Sequence, residues 1–491
     1  MQSRAVLIVV MGLALLIRLR EIDQGIVRFH PTRHYRSAVL ARACYYDHAT
    51  GIPEWARNVA NAARSMQQAG EPELMEAAAC AAYLAIGHEN ITIPRVLAIL
   101  IWISGAIPML LLATRLSSPA AAWLAVALYL FLPYGIVASR NFQPDQLMTV
   151  ASLWALVALL RHYDQPTRSR FVAAGVAVGI AGFIKPMSVF VTLPVLVTLE
   201  ALHDDRTWRQ RMIAAGELLF LSLLLPLIFY GRSALFGTLV ADQMHMRFEP
   251  QLIPTMFFWG GLSRMVSRVE TWPLLILAVT GMAVARDRAA RFVLLSLFAG
   301  YFAFAVAFTY HMPTHDYYHL PYIAVTALGV AVLLARIEMV MPARARVFAA
   351  SALCVITIAI GSAIAWPRLH IAEAAAMAQT YQEVGDLVQH DTHVVFLDAE
   401  YGFSMMYHAQ ISGDSWPNVD DLAAEKIDDR ENMEADARYE RFYAGSNPSY
   451  FVVTDLDSLA AEKDLQAMLA KRTTVVRITD RYRVYKFNRE G

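Results

Sequence analysis

The chain has 491 residues, 57% of them hydrophobic and only 17% charged, with mean hydropathy +0.40. Soluble domains carry about 25% charged residues, so much of this apolar surface must face something other than water, which implies a polytopic membrane protein. Its 42 basic and 42 acidic residues cancel, which excludes a global basic field for nucleic acid.

An apolar run at 4–20 comes first. No small-residue cleavage site follows Leu16, so the run reads as a retained helix rather than a signal peptide. Next stands VRFHPTRHYRSAVLAR (27–42), with four arginines, two histidines and no acidic residue. It opens a long loop, 21–93, in which 32–49, 53–69 and 72–86 are predicted helices with Thr32 as the first N-cap. Leu74–Ile86 is too short to span, and helices lying at the membrane surface are expected. Cys44, Cys80 and Cys354 are scattered, odd in number and without metal spacing, so they read as small buried hydrophobes.

Windows of about twenty apolar residues place further spans near 94–114, 119–138, 144–161, 170–185, 187–202, 212–231, 271–285, 291–309, 317–335 and 347–366, about eleven in all. A second long loop, 232–270, holds DQMHMRFEPQLIP and FFWGGL and reads as an aromatic interfacial element. From residue 367 the charge density rises. Alternating runs at 393–399, 449–455, 473–479 and 482–488 predict strands, with a hairpin turn at Asp480-Arg481. Helical stretches at 372–389 and 457–471 alternate with them, so 367–491 reads as a small soluble α/β domain. Its Asp398, Glu400 and Tyr401 follow a strand without catalytic spacing.

Alternate short loops carry Arg115; Arg161, Arg168 and Arg170; Arg206, Arg209 and Arg211; Arg286, Arg288 and Arg291; and Arg336, Arg344 and Arg346. The positive-inside rule makes these cytoplasmic, together with the N-terminus. The loop 21–93 and the tail then lie outside. The arginine cluster at 28–42 runs against its own local charge preference, so topology does not explain it.

Five stretches carry a resemblance. HPTRHYRSAVLAR (30–42) sits where the C-type membrane glycosyltransferases have Pro-Asp-Glu-x-x-Tyr followed by Ala-Arg. EPELMEAAACAAYLAIGHENITIPRVLA (71–98) resembles their Pro-Pro-Leu, then Gly, then Arg, and SRNFQPDQLM (139–148) resembles Ser-Arg-x-x-x-x-Asp. GFIKPMSVF (182–190) resembles a Thr-Lys-Gly/Pro turn, and HDYYHLPYIA (315–324) resembles a Tyr-x-Leu-Pro motif. More narrowly, the chain resembles bacterial relatives of the protein O-mannosyltransferases and the lipid A aminoarabinose transferases. The resemblance implies a C-type transmembrane domain over 1–366, with 21–93 as its outer helical loop, and an outer α/β domain over 367–491. It implies an inverting transferase that takes a sugar from a polyprenyl-phosphate donor to a glycan, lipid or protein acceptor among the membrane lipids. The closer relatives use no metal, so no cofactor is expected. Two departures stand out: Pro31 and Thr32 occupy the family's Asp-Glu pair, and Glu71 and Glu73 flank Pro72 where the aminoarabinose enzymes carry a lysine.

Such a transfer needs a base for the acceptor hydroxyl, cations aimed at the leaving phosphate, and an apolar groove for the prenyl tail. Asp145, at a span edge and at the family's Asp position, is the first candidate base; a helix N-terminal carboxylate steadied by the dipole is the plainer reading. His30 and His34 are alternatives as neutral imidazoles, and Glu71 and Glu73 are substrate-binding candidates. Lys185, Arg33, Arg36, Arg28 and Arg140 are the donor-phosphate candidates, against snorkelling or attraction to lipid headgroups. In YHMPTHDYYHLP (310–321), His315, Asp316, Tyr317 and Tyr318 are substrate-binding candidates. Together with His311 and His319 the stretch also has the residue types for a divalent ion. A lipid-linked glycan flippase, or a non-catalytic partner subunit of the same family, is the rival reading. Charges deep within spans would favour the flippase, whereas here they gather at span edges.

Overall fold

The structure is a computed structural model that describes residues 2–27, 29–67, 70–232, 248–427 and 433–488. It divides into two compact units, one formed by Met1–Ile22, Ala69–Leu74 and Arg95–His370, the other by Asp23–Gln68, Met75–Pro94 and Ile371–Gly491. Most of the long first loop therefore groups with the tail rather than with the helical part. Arg28 and residues 233–247 of the second long loop lie outside the described residues.

All eleven expected windows are helical. In chain order the helices are α1 (Gln2–Leu19), α2 (Pro31–His48), α3 (Glu54–Ser65), α4 (Leu74–Ile86), α5 (Thr92–Ser104), α6 (Ala106–Leu116), α7 (Ala121–Phe131), α8 (Pro133–Ala138), α9 (Asp145–Asp164), α10 (Arg168–Ile184), α11 (Val189–Ala201), α12 (Trp208–Pro226), α13 (Met256–Val269), α14 (Trp272–Val284), α15 (Arg288–Ala307), α16 (Tyr322–Glu338), α17 (Ala343–Ala365) and α18 (Ala374–Leu387). Among the described residues, Thr92–Leu116, Trp208–Gly231, Arg288–Ala307, Asp316–Glu338 and Ala343–Leu387 are long and apolar enough to cross a membrane. Some of the other windows are interrupted as helices. The third expected span, for example, breaks at Leu132 into α7 and α8, because Pro133 has no N–H to continue the ladder.

The first unit packs α9 against α10, α10 against α12, α11 against α15, α14 against α16, and α7 against both α16 and α17. Small residues set the closest approach. A Cβ on Gly281 would collide with the Gly329 carbonyl, and one on Gly329 with Ala278, so α14 and α16 cross backbone to backbone. The break before α8 leaves the Leu130 carbonyl without its helical donor. Arg18, fully buried, donates to it at 2.6 Å and to Ser139 Oγ at 2.7 Å, which fixes the turn that leads into α9.

In the second unit α2 begins two residues earlier than expected. His30 is the N-cap, in the left-handed region at φ 46°, and Pro31 takes the first helical position, where its missing N–H costs nothing. The cysteine expectation is corrected here. Cys44 on α2 and Cys80 on α4 form a disulfide, and Cys354 alone remains free. Arg42 ties the same elements together: its guanidinium meets Glu89 through two bonds of 2.8 and 3.0 Å, donates to the Tyr407 carbonyl at 2.6 Å and lies 4.0 Å over the Tyr407 ring.

The tail forms one five-stranded sheet. Its strands are β1 (Val394–Leu397), β2 (Gly413–Ser415), β3 (Tyr450–Val453), β4 (Thr473–Ile478) and β5 (Arg483–Phe487). Their spatial order is β2-β1-β3-β5-β4, with β1 parallel to β2 and β3, and β5 antiparallel to β3 and β4. The β4–β5 hairpin turns at Asp480-Arg481 as its residues predict, closed by Thr479 N–H to the Tyr482 carbonyl at 2.9 Å. Val395, Leu397, Phe451, Val453, Trp416 and Leu465 form the core.

Candidate active site

The turn between α8 and α9 is polar and buried. Ser139, Asn141, Gln143 and Gln146 are 0% exposed, and Gln146 Nε2 donates back to the Ala138 carbonyl at 2.7 Å. This packing presents Asp145 as the first residue of α9, where the helix dipole favours a carboxylate. Lys185 closes α10. Pro186 after it disfavours helical backbone, and Lys185 is extended at φ −158° and ψ 124°. The ammonium therefore leaves the helix axis and meets Asp145, with Nζ 2.8 Å from Oδ1. Glu71 Oε1 lies 3.6 Å from the same nitrogen. Lys185 and Asp145 are each 1% exposed.

Two carboxylates therefore surround one buried ammonium. The rings of Tyr317 and Tyr318 stand 5.4 and 5.5 Å from Lys185 Nζ, within cation–π range. Asp145 Oδ1 is held by Lys185, whereas Oδ2 makes no hydrogen bond among the described residues. A buried carboxylate oxygen without a donor is uncommon. This one is open to a hydrogen-bond donor.

Asp316 is buried beside Tyr317. Tyr134 donates to its Oδ1 at 2.7 Å, and Arg268 Nε stands 3.0 Å from its Oδ2. His319 spends both ring nitrogens, on the Tyr301 hydroxyl at 2.9 Å and the Met312 carbonyl at 2.9 Å. The stretch 310–321 thus forms no metal-ligand cluster among the described residues. His315 is half-buried, stacked on His311 and in contact with Thr314 Oγ1.

The remaining candidates are placed differently. Arg140 is buried on backbone carbonyls, donating to Arg20 at 2.6 Å and Glu21 at 3.1 Å, so it fastens the end of α1 rather than standing open to a phosphate. Burial lowers its pKa to about 10. Glu73 is half-buried near Glu71 in sequence. His30, Arg33, His34 and Arg36 belong to the second unit: His34 is buried against Tyr35, while Arg33 and Arg36 are half-buried three positions apart on α2. Arg268 and Tyr134 escaped the sequence reading, which met Arg95 only as the arginine of the 71–98 match and gave it no role. Arg95 is 3% exposed, with its Nε facing the Arg140 carbonyl at 3.3 Å. A lone arginine in an apolar helix start was its available signal.

Residues 71–230 match the family model described as dolichyl-phosphate-mannose-protein mannosyltransferase. The chain is similar to ArnT from Cupriavidus metallidurans bound to undecaprenyl phosphate, with TM-score 0.64 and 15% identity over 98% of each chain. It is also similar to the Archaeoglobus fulgidus oligosaccharyltransferase in complex with Zn and sulfate, with TM-score 0.57 and 13% identity over 96% of this chain and 71% of that one. The archaeal oligosaccharyltransferase AglB from the same organism, with an inhibitory peptide and a dolichol-phosphate, gives TM-score 0.55 and 12% identity over 99% and 75%. No curated sequence matches the chain significantly. The fold is the one these structures share.

Proposed function

We propose that this protein is an inverting membrane glycosyltransferase that moves a sugar from a polyprenyl-phosphate donor to an acceptor at the outer face of the cytoplasmic membrane. The observation that carries the reading is the buried Asp145, with one oxygen held by Lys185 and the other unengaged, in a chain with this fold. Undecaprenyl phosphate in the ArnT structure and dolichol-phosphate in the AglB structure support a lipid-phosphate donor. The Cys44–Cys80 disulfide supports an oxidising, extracytoplasmic setting for the first loop.

Asp145 Oδ2 takes the acceptor proton as the hydroxyl oxygen attacks the anomeric carbon, and the sugar–phosphate bond breaks with its electron pair leaving on the phosphate. Lys185 bonds one oxygen of Asp145 and fixes the orientation of the carboxylate. Lys185 lies beside two carboxylates and stays a candidate for the donor phosphate. Tyr317 and Tyr318 offer ring faces to a sugar.

The test is transfer by the purified protein from a panel of radiolabelled polyprenyl-phosphate sugars. Asp145→Asn should lose about 10²–10⁴-fold in rate. Full activity in that variant removes Asp145 as the base. Absence of transfer from every donor, with lipid scrambling in liposomes, supports the flippase instead.

A further inference from the structure

The other end of α9 carries a separate cluster. His162 stands in its last turn, seventeen residues beyond Asp145, roughly 25 Å along the axis at 1.5 Å per residue. Glu200 is the penultimate residue of α11, and His203 follows just past the helix end at Ala201. His162, Glu200 and His203 are 3%, 2% and 6% exposed. Each offers one ligand atom, and the three atoms lie within 4.8 Å of one another.

The bonding inside this cluster is incomplete. His162 Nε2 faces Glu200 Oε1 at 3.0 Å, and Arg206 donates to Glu200 Oε2 at 2.7 Å. His203 Nδ1 stands 3.6 Å from Asp205 Oδ1. Nδ1 of His162 and Nε2 of His203 are buried without a hydrogen bond among the described residues. Buried imidazole nitrogens are normally hydrogen-bonded, so these two are open to a further ligand.

We propose that His162, Glu200 and His203 bind a divalent transition metal, with zinc best suited to two imidazoles and one carboxylate. A ring nitrogen of each histidine and one oxygen of Glu200 supply three ligands, and water supplies the fourth. Arg206 stays on the second Glu200 oxygen as an outer partner that orients the carboxylate. His162 and Arg206 also line an open cleft of about 720 Å³, with Thr167, Arg168 and Glu217 on its walls, which gives the ion an entry path. The site ties the end of α9 to the α11–α12 connection and takes no part in the transfer proposed at Asp145.

The test uses the full chain without a histidine tag and with its disulfide intact, because reduced Cys44 and Cys80 would join His48 as a second ligand set. Calorimetric titration with Zn²⁺ should show about one equivalent bound, retained on gel filtration and confirmed by elemental analysis. Co²⁺ in its place should give the visible absorption of a tetrahedral site. His203→Gln and His162→Gln should each abolish the bound equivalent, and Arg206→Ala should weaken it about 10–100-fold. Retained stoichiometry in both histidine variants overturns the site. So does a wild-type chain that binds neither ion at micromolar concentration, a reading that does not depend on whether the variants fold.

Discussion

Removing the Cys44–Cys80 bond measures what joins the first loop to itself. The bond closes a loop across 36 positions of sequence. In the chain-entropy treatment, a loop of that length withdraws unfolded-state freedom worth about 4 kcal/mol at 25 °C. The native side of the balance should change little. Arg42–Glu89 and the Tyr45 hydroxyl on the Gly87 carbonyl at 2.8 Å hold the same elements independently. In a unit of this size 1 kcal/mol moves the melting temperature by roughly 2–4 °C, so Cys44→Ala with Cys80→Ala should melt roughly 10 °C lower. The assay is a thermal melt in detergent, followed by protease resistance of the tail, with Cys354→Ser as the control that leaves the melt in place. Maleimide labelling of the denatured, unreduced chain should find one thiol. Three reactive thiols, or an unshifted melt in the double variant, would refute the reasoning.

Other expectations follow from the buried charges. Lys185→Met should destabilise the chain by about 3–5 kcal/mol, because it strands Asp145 in the interior. Combined with Asp145→Asn it should cost far less than the sum, and additive losses in a double-mutant cycle of melts would show that the two do not interact. Arg42→Lys keeps the charge but loses the two-bond fork on Glu89 and should cost about 1–3 kcal/mol by denaturant titration; an unchanged midpoint would contradict it. In the tail, burial raises Asp398 from 3.8 to about 6, although the Tyr381 hydroxyl donates to it. The folded chain then binds the proton more tightly than the unfolded one, and this group's contribution falls by roughly 3 kcal/mol as pH rises from 3.8 to 6. Burial holds His408 at about 4 instead of 6.5, and its contribution rises over that range. Asp398→Asn should therefore unmask stability that climbs between pH 4 and 6, and a melt profile identical to wild type would count against the assignment.

The parts of this fold that were legible in the sequence are those set by local pattern. Val394–Leu397 and Tyr450–Val453 announce themselves as short apolar runs, buried almost throughout, and the β4–β5 hairpin through its polar turn. β2 is Gly413-Asp414-Ser415 and has no apolar residue to reveal it; only its pairing with β1 makes it a strand. Asp145 and Lys185 were legible as lone charges at helix ends. That they touch at 2.8 Å was not, since forty positions separate them and only the packing of α9 on α10 brings them together. The disulfide was hidden for the same reason. An odd cysteine count discourages pairing on paper, and nothing in a spacing of 36 says that α2 and α4 lie side by side. His162, Glu200 and His203 come from two helix ends, where Glu-x-x-His was the one short-range hint.

The second unit is discontinuous, and that imposes an order of events during synthesis. Its first part, Asp23–Gln68 and Met75–Pro94, emerges before the whole of Arg95–His370, while its sheet lies beyond Ile371. At about 5–20 residues per second, α2 and α3 wait some tens of seconds for the strands they share a unit with. Through that interval buried side chains such as Tyr35, Val39 and Val59 have no partner from the tail, so the nascent loop carries uncovered apolar surface. Because both of its cysteines are already present, the loop can be cross-linked before the last strand exists.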